Sequence, residues 1–181
     1  FLSEEEVGLI LADEGLFKVV MASPERVGKW GLFKLFFKDA THVSDELAEA
    51  VNRTYNAAWN PKPWKQLSIT KKYRLNRDMG DVFVRVHMGP NKAGEFIMYK
   101  EDIKGLTPEQ IFSKYALPER PSVIRPMYVS DVTLPTNTEV RYGYVQHRPG
   151  EWVGDVEQFE IVLPPGVRNL PLEWFGSSRK L

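Results

Sequence analysis

The spacing of hydrophobic positions is helical over the first part of the chain. Ser3 followed by Glu6 is the signature of a capping box, and Gly15 is a suitable residue for the end of that helix. The N-terminus of a second helix is predicted at residues 23–25, where Ser-Pro-Glu places a proline at the first helical position. The apolar residues that follow it keep helical spacing as far as Phe37. Two helical stretches are therefore predicted before residue 40.

A third helix is predicted downstream of these two. Ser44-Asp45-Glu46 is a favourable N-terminus, and Pro61 and Pro63 would end the helix. Together the three stretches predict a helical N-terminal segment over residues 1–64. The sequence contains no internal repeat, either in this segment or in the part that follows it.

Beyond residue 64 the pattern changes to short runs typical of strands, separated by Gly, Pro and Asn. The predicted strands cover residues 66–70, 82–88, 95–99, 127–133, 138–146 and 156–163. One helix interrupts them, because Thr107, Pro108 and Gln110 combine an N-cap, an N1 proline and a capping box. This order predicts an α+β fold, with a second unit over residues 65–181 that is built on a mainly antiparallel sheet.

Polar side chains share one face on two of these strands. In residues 82–88 alternation places Arg85 and His87 opposite the valines, and in residues 156–163 it places Gln158 and Glu160 together. Arg is suited to phosphate or carboxylate, and His can donate to a hydroxyl or carbonyl. We expect the two polar faces to form the walls of a solvated cleft that binds a polar ligand, although exposed sheet faces carry such residues too.

Composition removes several classes of function. The 181 residues carry 24 basic and 24 acidic side chains, and this balance disfavours broad contact with nucleic acid. There is no Cys, so disulfides, thiolate chemistry and Cys-type zinc sites are excluded. No apolar run approaches the ~18–20 residues that cross a bilayer, so no membrane segment is predicted. The chain starts at Phe1 without a basic leader, and we expect any targeting signal to lie in a longer parent protein.

The three histidines define one alternative. His42, His87 and His147 have no spacing typical of metal ligands, and we predict that the protein holds no metal. Glycine-rich phosphate loops and the Gly-x-Ser-x-Gly nucleophile elbow are also absent. Two histidines can cleave RNA by acid–base catalysis, so a ribonuclease that uses His87 and His147 remains an alternative.

Three segments occur in an order that resembles a known family. They are Tyr115-Ala116-Leu117-Pro118, the hairpin with Pro135, Thr138, Val140 and Gly143, and the strand Gln158-Phe159-Glu160. This order resembles the NAD-consuming toxin domains related to tuberculosis necrotizing toxin. Those domains are found at the C-termini of bacterial polymorphic and contact-dependent toxins. Upstream, Arg85 and the segment Gly94-Glu95-Phe96 resemble the first strands of those domains. The resemblance covers roughly residues 80–163.

The resemblance implies a fold like that of the ADP-ribosyltransferases, with NAD held between two small sheets. It implies that Gln158, Glu160 and Arg85 are catalytic, and that NAD is the substrate. The NAD-binding residues would be Arg85, His87, Gly94, Phe96, Tyr99 and Tyr115. Cleavage of the nicotinamide–ribose bond yields ADP-ribose if water attacks, or an ADP-ribosylated target if another nucleophile does; the sequence leaves both open.

The resemblance also implies a biological setting. The domain would be secreted or delivered from a cell surface, would act in the cytoplasm of the target cell, and would have a cognate immunity protein. If it transfers ADP-ribose, it would also have a macromolecular target. A different class remains open, namely a non-catalytic binding or immunity-type module whose sheet face is a docking surface.

Overall fold

The computed structural model describes residues 2–42, 71–150 and 152–181. The predicted helix that starts at Ser44 and the predicted strand 66–70 lie outside these ranges. The helices are α1 (Glu4–Ala12), α2 (Glu14–Ala22), α3 (Gly28–Phe36), α4 (Lys100–Ile103) and α5 (Pro108–Lys114), with 3₁₀ turns at Pro24–Arg26 and Leu172–Trp174. The strands are β1 (Phe37–His42), β2 (Lys71–Leu75), β3 (Met79–Met88), β4 (Phe96–Tyr99), β5 (Met127–Leu134), β6 (Glu139–Tyr144), β7 (Glu157–Val162) and β8 (Phe175–Lys180).

Within the described ranges the strands form one sheet in the order β1-β2-β6-β7-β4-β3-β5-β8. Every neighbouring pair is antiparallel. The predicted mixture of helices with a mainly antiparallel sheet is confirmed, and so are the strands predicted at residues 82–88, 95–99, 127–133, 138–146 and 156–163 to within a few residues. The short strand β4 stands between the half that contains β7 and the half that contains β3.

Both predicted capping boxes are present. Ser3 Oγ accepts from the Glu6 N–H at 3.1 Å, and Glu6 Oε1 accepts from the Ser3 N–H at 3.3 Å. At α5 the corresponding distances between Thr107 and Gln110 are 3.2 and 2.8 Å. Each box satisfies backbone donors that the first turn of a helix leaves without partners. The first helix ends before the predicted Gly15, because the Asp13 side chain caps α2 by accepting from the Leu16 N–H.

The prediction that helical structure continues through Phe37 is wrong. Helix α3 ends at Phe36, and Phe37 begins β1, where it pairs with Leu75 of β2. Strands β1 and β8 have no clear alternation in sequence, and pairing with a neighbouring strand determines their conformation. The predicted boundary between residues 64 and 65 falls outside the described residues and stays a prediction.

The two faces of the sheet bury separate hydrophobic clusters. On one face Leu35 and Phe36 of α3 pack with Phe83 of β3 and Phe159 of β7. The helices of the N-terminal segment and the strands therefore share this cluster.

The other face of the sheet packs against α4 and α5. Ile111 and Tyr115 contact a cluster that contains Val84 and Val86 of β3 and Met98 of β4. Adjacent residues of β3 thus serve opposite clusters, as the pleat of a strand requires. Helix α5 and the segment after it are placed beside the start of β4, where the candidate site lies.

Candidate functional site

A pocket of about 310 Å³ lies where β4 begins between β3 and β7. Its polar lining comes from Arg85, His87, Asn91, Glu119, Arg125 and Gln158. Aromatic surface is supplied by the rings of Phe96 and Tyr115. This volume is at the lower end of the ~300–1,000 Å³ typical of small-molecule sites.

Arg85 and Gln158 reach this pocket from opposite faces of the sheet. Arg85 is opposite Ser130 of β5, on the face away from Val84 and Val86. Gln158 is on the other face, because Phe159 beside it belongs to the first cluster. The two residues meet because β3 continues to Met88 while β4 starts only at Phe96, so the sheet is open between them. The expected cleft is thus an opening at the end of a strand, not a space between two polar faces.

Arg85 lies over Gly94, just before β4 begins. A Cβ on Gly94 would stand 2.0 Å from Arg85 Cζ, so only glycine leaves room for the guanidinium. Arg85 Nη1 donates to the Phe96 carbonyl at 3.1 Å. The predicted ligand-binding residue Gly94 therefore has a clear structural task, which is to admit the Arg85 side chain.

The guanidinium of Arg85 is largely buried, and part of its donor capacity is unused. Its Nε is buried without a hydrogen-bond partner. Burial lowers the pKa of Arg85, and the charge of Glu95 acts in the opposite direction. Among the residues described, no carboxylate lies within 4.0 Å of this guanidinium. A buried cation of this kind is a suitable site for an anionic ligand.

Gln158 and Glu160 are buried, which contradicts the expectation that they face a solvated cleft. Gln158 is 3% exposed and Glu160 is 5% exposed. Gln158 lines the pocket, whereas Glu160 does not. Glu160 Oε1 instead accepts from Arg141 Nη1 at 2.7 Å. The predicted pair is thus divided between the pocket and a partly buried ion pair beside it.

His87 lines the pocket but has partners at both ring nitrogens. Nδ1 lies 3.0 Å from the Gly89 carbonyl, which can only accept, so Nδ1 carries the proton. Nε2 lies 3.2 Å from Ser130 Oγ and 3.1 Å from Ser178 Oγ and accepts from a hydroxyl. Burial lowers the pKa of His87 and favours this neutral form. His87 therefore forms a fixed, uncharged part of the wall.

The predicted aromatic residues divide between the pocket and the core. Phe96 and Tyr115 line the pocket. Tyr115 is almost fully buried; its hydroxyl has no hydrogen-bond partner, and burial raises its pKa. Tyr99 does not line the pocket, because it packs on the opposite face against Phe83 and Phe159 with ring centroids 5.6 and 5.1 Å away.

Three polar residues of the pocket were not identified from the sequence. Asn91 follows β3, while Glu119 and Arg125 belong to the proline-rich loop between α5 and β5. Arg125 Nε lies 2.6 Å from Glu119 Oε1, and the Arg125 N–H donates to Ser122 Oγ at 3.1 Å. Opposite charges in a loop next to the motif Tyr-x-Leu-Pro were a usable signal.

The remaining candidates lie elsewhere. His147 is exposed, does not line the pocket, and has its Nδ1 2.8 Å from the Val153 carbonyl. His87 and His147 do not share the pocket.

The described residues contain no group of three or more His, Asp or Glu side chains that could hold a metal ion. No helix among them is long and apolar enough to cross a membrane.

Comparisons of the chain with protein-family models, with curated proteins and with solved structures give no match.

Proposed function

We propose that the pocket binds NAD and that the protein cleaves the nicotinamide–ribose bond, as a toxin domain with an ADP-ribosyltransferase-like fold. The observation that carries the proposal is the state of Arg85, a largely buried guanidinium with an unpartnered Nε and, among the described residues, no carboxylate within 4.0 Å. A phosphate oxygen is the natural partner for such a fork of donors. Gln158 lines the same pocket.

The pyrophosphate of NAD would lie between the two arginines of the pocket. Arg85 contributes from β3, and Arg125 contributes from the loop after α5. The present partner of Arg125 is the carboxylate of Glu119, which a phosphate oxygen can replace. A pocket of about 310 Å³ suits the nicotinamide–ribose half, so the adenosine half would extend through the opening.

The bond that breaks is the one between ribose C1′ and the nicotinamide nitrogen, with its electron pair leaving on nicotinamide. Positive charge then develops on the ribose, and the amide oxygen of Gln158 can stabilise it or orient a ribose hydroxyl. The ring of Phe96 offers a surface for the nicotinamide. Attack by water gives ADP-ribose, and attack by a target nucleophile gives an ADP-ribosylated product.

The ribonuclease alternative has less support. Acid–base cleavage of RNA needs two groups that exchange protons with the substrate. Both ring nitrogens of His87 have protein partners, and His147 lies outside the pocket. A non-catalytic module is the remaining alternative and is distinguished by experiment.

The direct test is to incubate the purified protein with NAD and measure free nicotinamide and ADP-ribose by chromatography. We expect NAD loss, with KM raised about tenfold in Arg85→Lys, because an ammonium cannot make two parallel contacts to phosphate. Arg74→Lys is the matched control, since Arg74 is exposed on β2. Protein that neither consumes NAD nor gains thermal stability from it overturns the proposal, and RNA fragmentation without NAD loss would favour the nuclease.

A further inference from the structure

Two charged residues, Arg85 and Glu95, lie near enough to the ion pair of Arg141 and Glu160 for their charges to interact, and we call these four residues the charge network. Glu160 is buried and bonded to Arg141 at 2.7 Å. Glu95 lies within electrostatic reach of the other three. Burial and the charge of Glu160 raise the pKa of Glu95, while the charges of Arg85 and Arg141 lower it. The network thus connects the ion pair on β6 and β7 with the cation in the pocket.

The backbone at the start of β4 is held from both sides within this network. The Ile161 N–H of β7 donates to the Glu95 carbonyl at 2.7 Å, and Arg85 Nη1 donates to the next carbonyl, that of Phe96. Glu160 lies directly opposite Phe96 on one side and Arg141 on the other. A shift of β7 at Glu160 would therefore move the carbonyl to which Arg85 is bonded.

We infer that Glu160 and Arg141 are positioning residues that fix the spacing between the Arg85 guanidinium and the Gln158 amide, an inference that rests on the proposed NAD-cleaving function. Gln158 precedes Glu160 by two residues on the same face of β7, so both ends of the site depend on this ion pair. A buried carboxylate requires a partner, and removing that partner leaves an uncompensated buried charge that the surrounding strands must accommodate. This assigns Glu160 a role different from the catalytic one that the sequence implied.

The two roles predict different kinetics. A positioning residue acts on substrate affinity through Arg85, so its loss should raise KM about tenfold, which is ~1.4 kcal/mol, with kcat changed little. A group that stabilises the transition state would lower kcat by ~10²–10³ when removed. The isosteric change Glu160→Gln separates them, because it removes the charge and keeps the volume.

The experiment measures KM and kcat for NAD cleavage in Glu160→Gln, Arg141→Met and the double variant. Each single change should raise KM, and the double should be no worse than either, because both remove the same ion pair. Arg141→Lys retains the positive charge and should stay near the wild-type KM. Glu139→Gln is the matched control: Glu139 pairs with Lys72 across the adjacent strands β6 and β2, away from the pocket, and its KM should not change.

The possible outcomes are distinct. Wild-type protein that cleaves no NAD overturns the proposed function and this inference with it. Wild-type protein that cleaves NAD, together with single variants that keep their KM, overturns the inference alone. A fall in kcat at constant KM in Glu160→Gln also overturns it and assigns a catalytic role. If Glu160→Gln does not fold, Arg141→Met compared with Arg141→Lys carries the same test with Glu160 intact.

Discussion

Arg85 occupies the space that a side chain at Gly94 would need: a Cβ there would lie 2.0 Å from Cζ and 2.3 Å from Nη2 of Arg85. The guanidinium can therefore turn over the start of β4 and enter the pocket that Gln158 lines from the other face. The relationship joins β3 to the segment before β4 and places a cation in the pocket. It also gives a direct way to move Arg85 without changing its chemistry.

The first prediction concerns Gly94→Ala. The methyl group should displace the Arg85 guanidinium, break its hydrogen bond to the Phe96 carbonyl, and raise KM for NAD about tenfold. Steady-state kinetics on the folded variant check this. Gly80→Ala on β3, the strand that carries Arg85, is the control, because its Cβ would make an ordinary 3.7 Å contact with Thr133 Oγ1. A Gly94→Ala variant with the wild-type KM would show that Arg85 does not contact the substrate.

The second prediction concerns Gln158→Ala. If the amide stabilises charge on the ribose, kcat should fall ~10²–10³-fold. Because Gln158 is 3% exposed, the change should also cost ~1–3 kcal/mol of unfolding free energy by leaving buried polar groups unsatisfied. Kinetics at saturating NAD and urea unfolding measure the two effects. Gln146→Ala, a half-buried residue outside the pocket, is the control; an unchanged kcat in Gln158→Ala would remove Gln158 from the mechanism.

The third prediction concerns the cap of α5. Thr107→Ala should lower the free energy of unfolding by ~1 kcal/mol, because the Gln110 N–H loses its acceptor. A helix of 7 residues depends strongly on its cap and its packing. Urea unfolding checks the value, and Thr107→Ser should retain most of the stability because it keeps the hydroxyl. Equal losses in both variants would mean that the methyl group, not the cap, is what matters.

The fourth prediction concerns pH and His87. Burial lowers the pKa of His87 below its ordinary 6.5, so the unfolded chain takes up this proton more readily than the folded one. The contribution of neutral His87 to stability is therefore complete above about pH 6.5 and is lost as pH falls toward the folded pKa. As pH is lowered from about 8 to about 5, the free energy of unfolding should decrease less steeply in His87→Gln than in the wild type. His147→Gln removes an exposed histidine and is the control; parallel curves for His87→Gln and wild type would contradict the prediction.

Local signals in the sequence were sufficient for most elements of the sheet and for the helix caps. The alternation in residues 82–88 and the capping residues Ser3 and Thr107 act through neighbours a few positions away, so their outcome is encoded locally. The same signals predicted that Arg85 and Gln158 lie on strands and identified them as polar candidates for a binding site. Strand β8 could not be found in this way, because its Gly, Ser, Arg and Lys residues become a strand only by pairing with β5.

Tertiary structure decided how these residues meet. The sequence by itself determined that Arg85 lies on the face of β3 opposite to Val84 and Val86. It did not determine that Gly94 allows the Arg85 side chain to cross the start of β4. It determined that Gln158 and Glu160 share a face of β7, but the direction of that face depends on β4 and β6, which bury both residues and give Glu160 the partner Arg141. Alternation along a strand is a property of the backbone, whereas burial and charge pairing depend on strands far away in sequence.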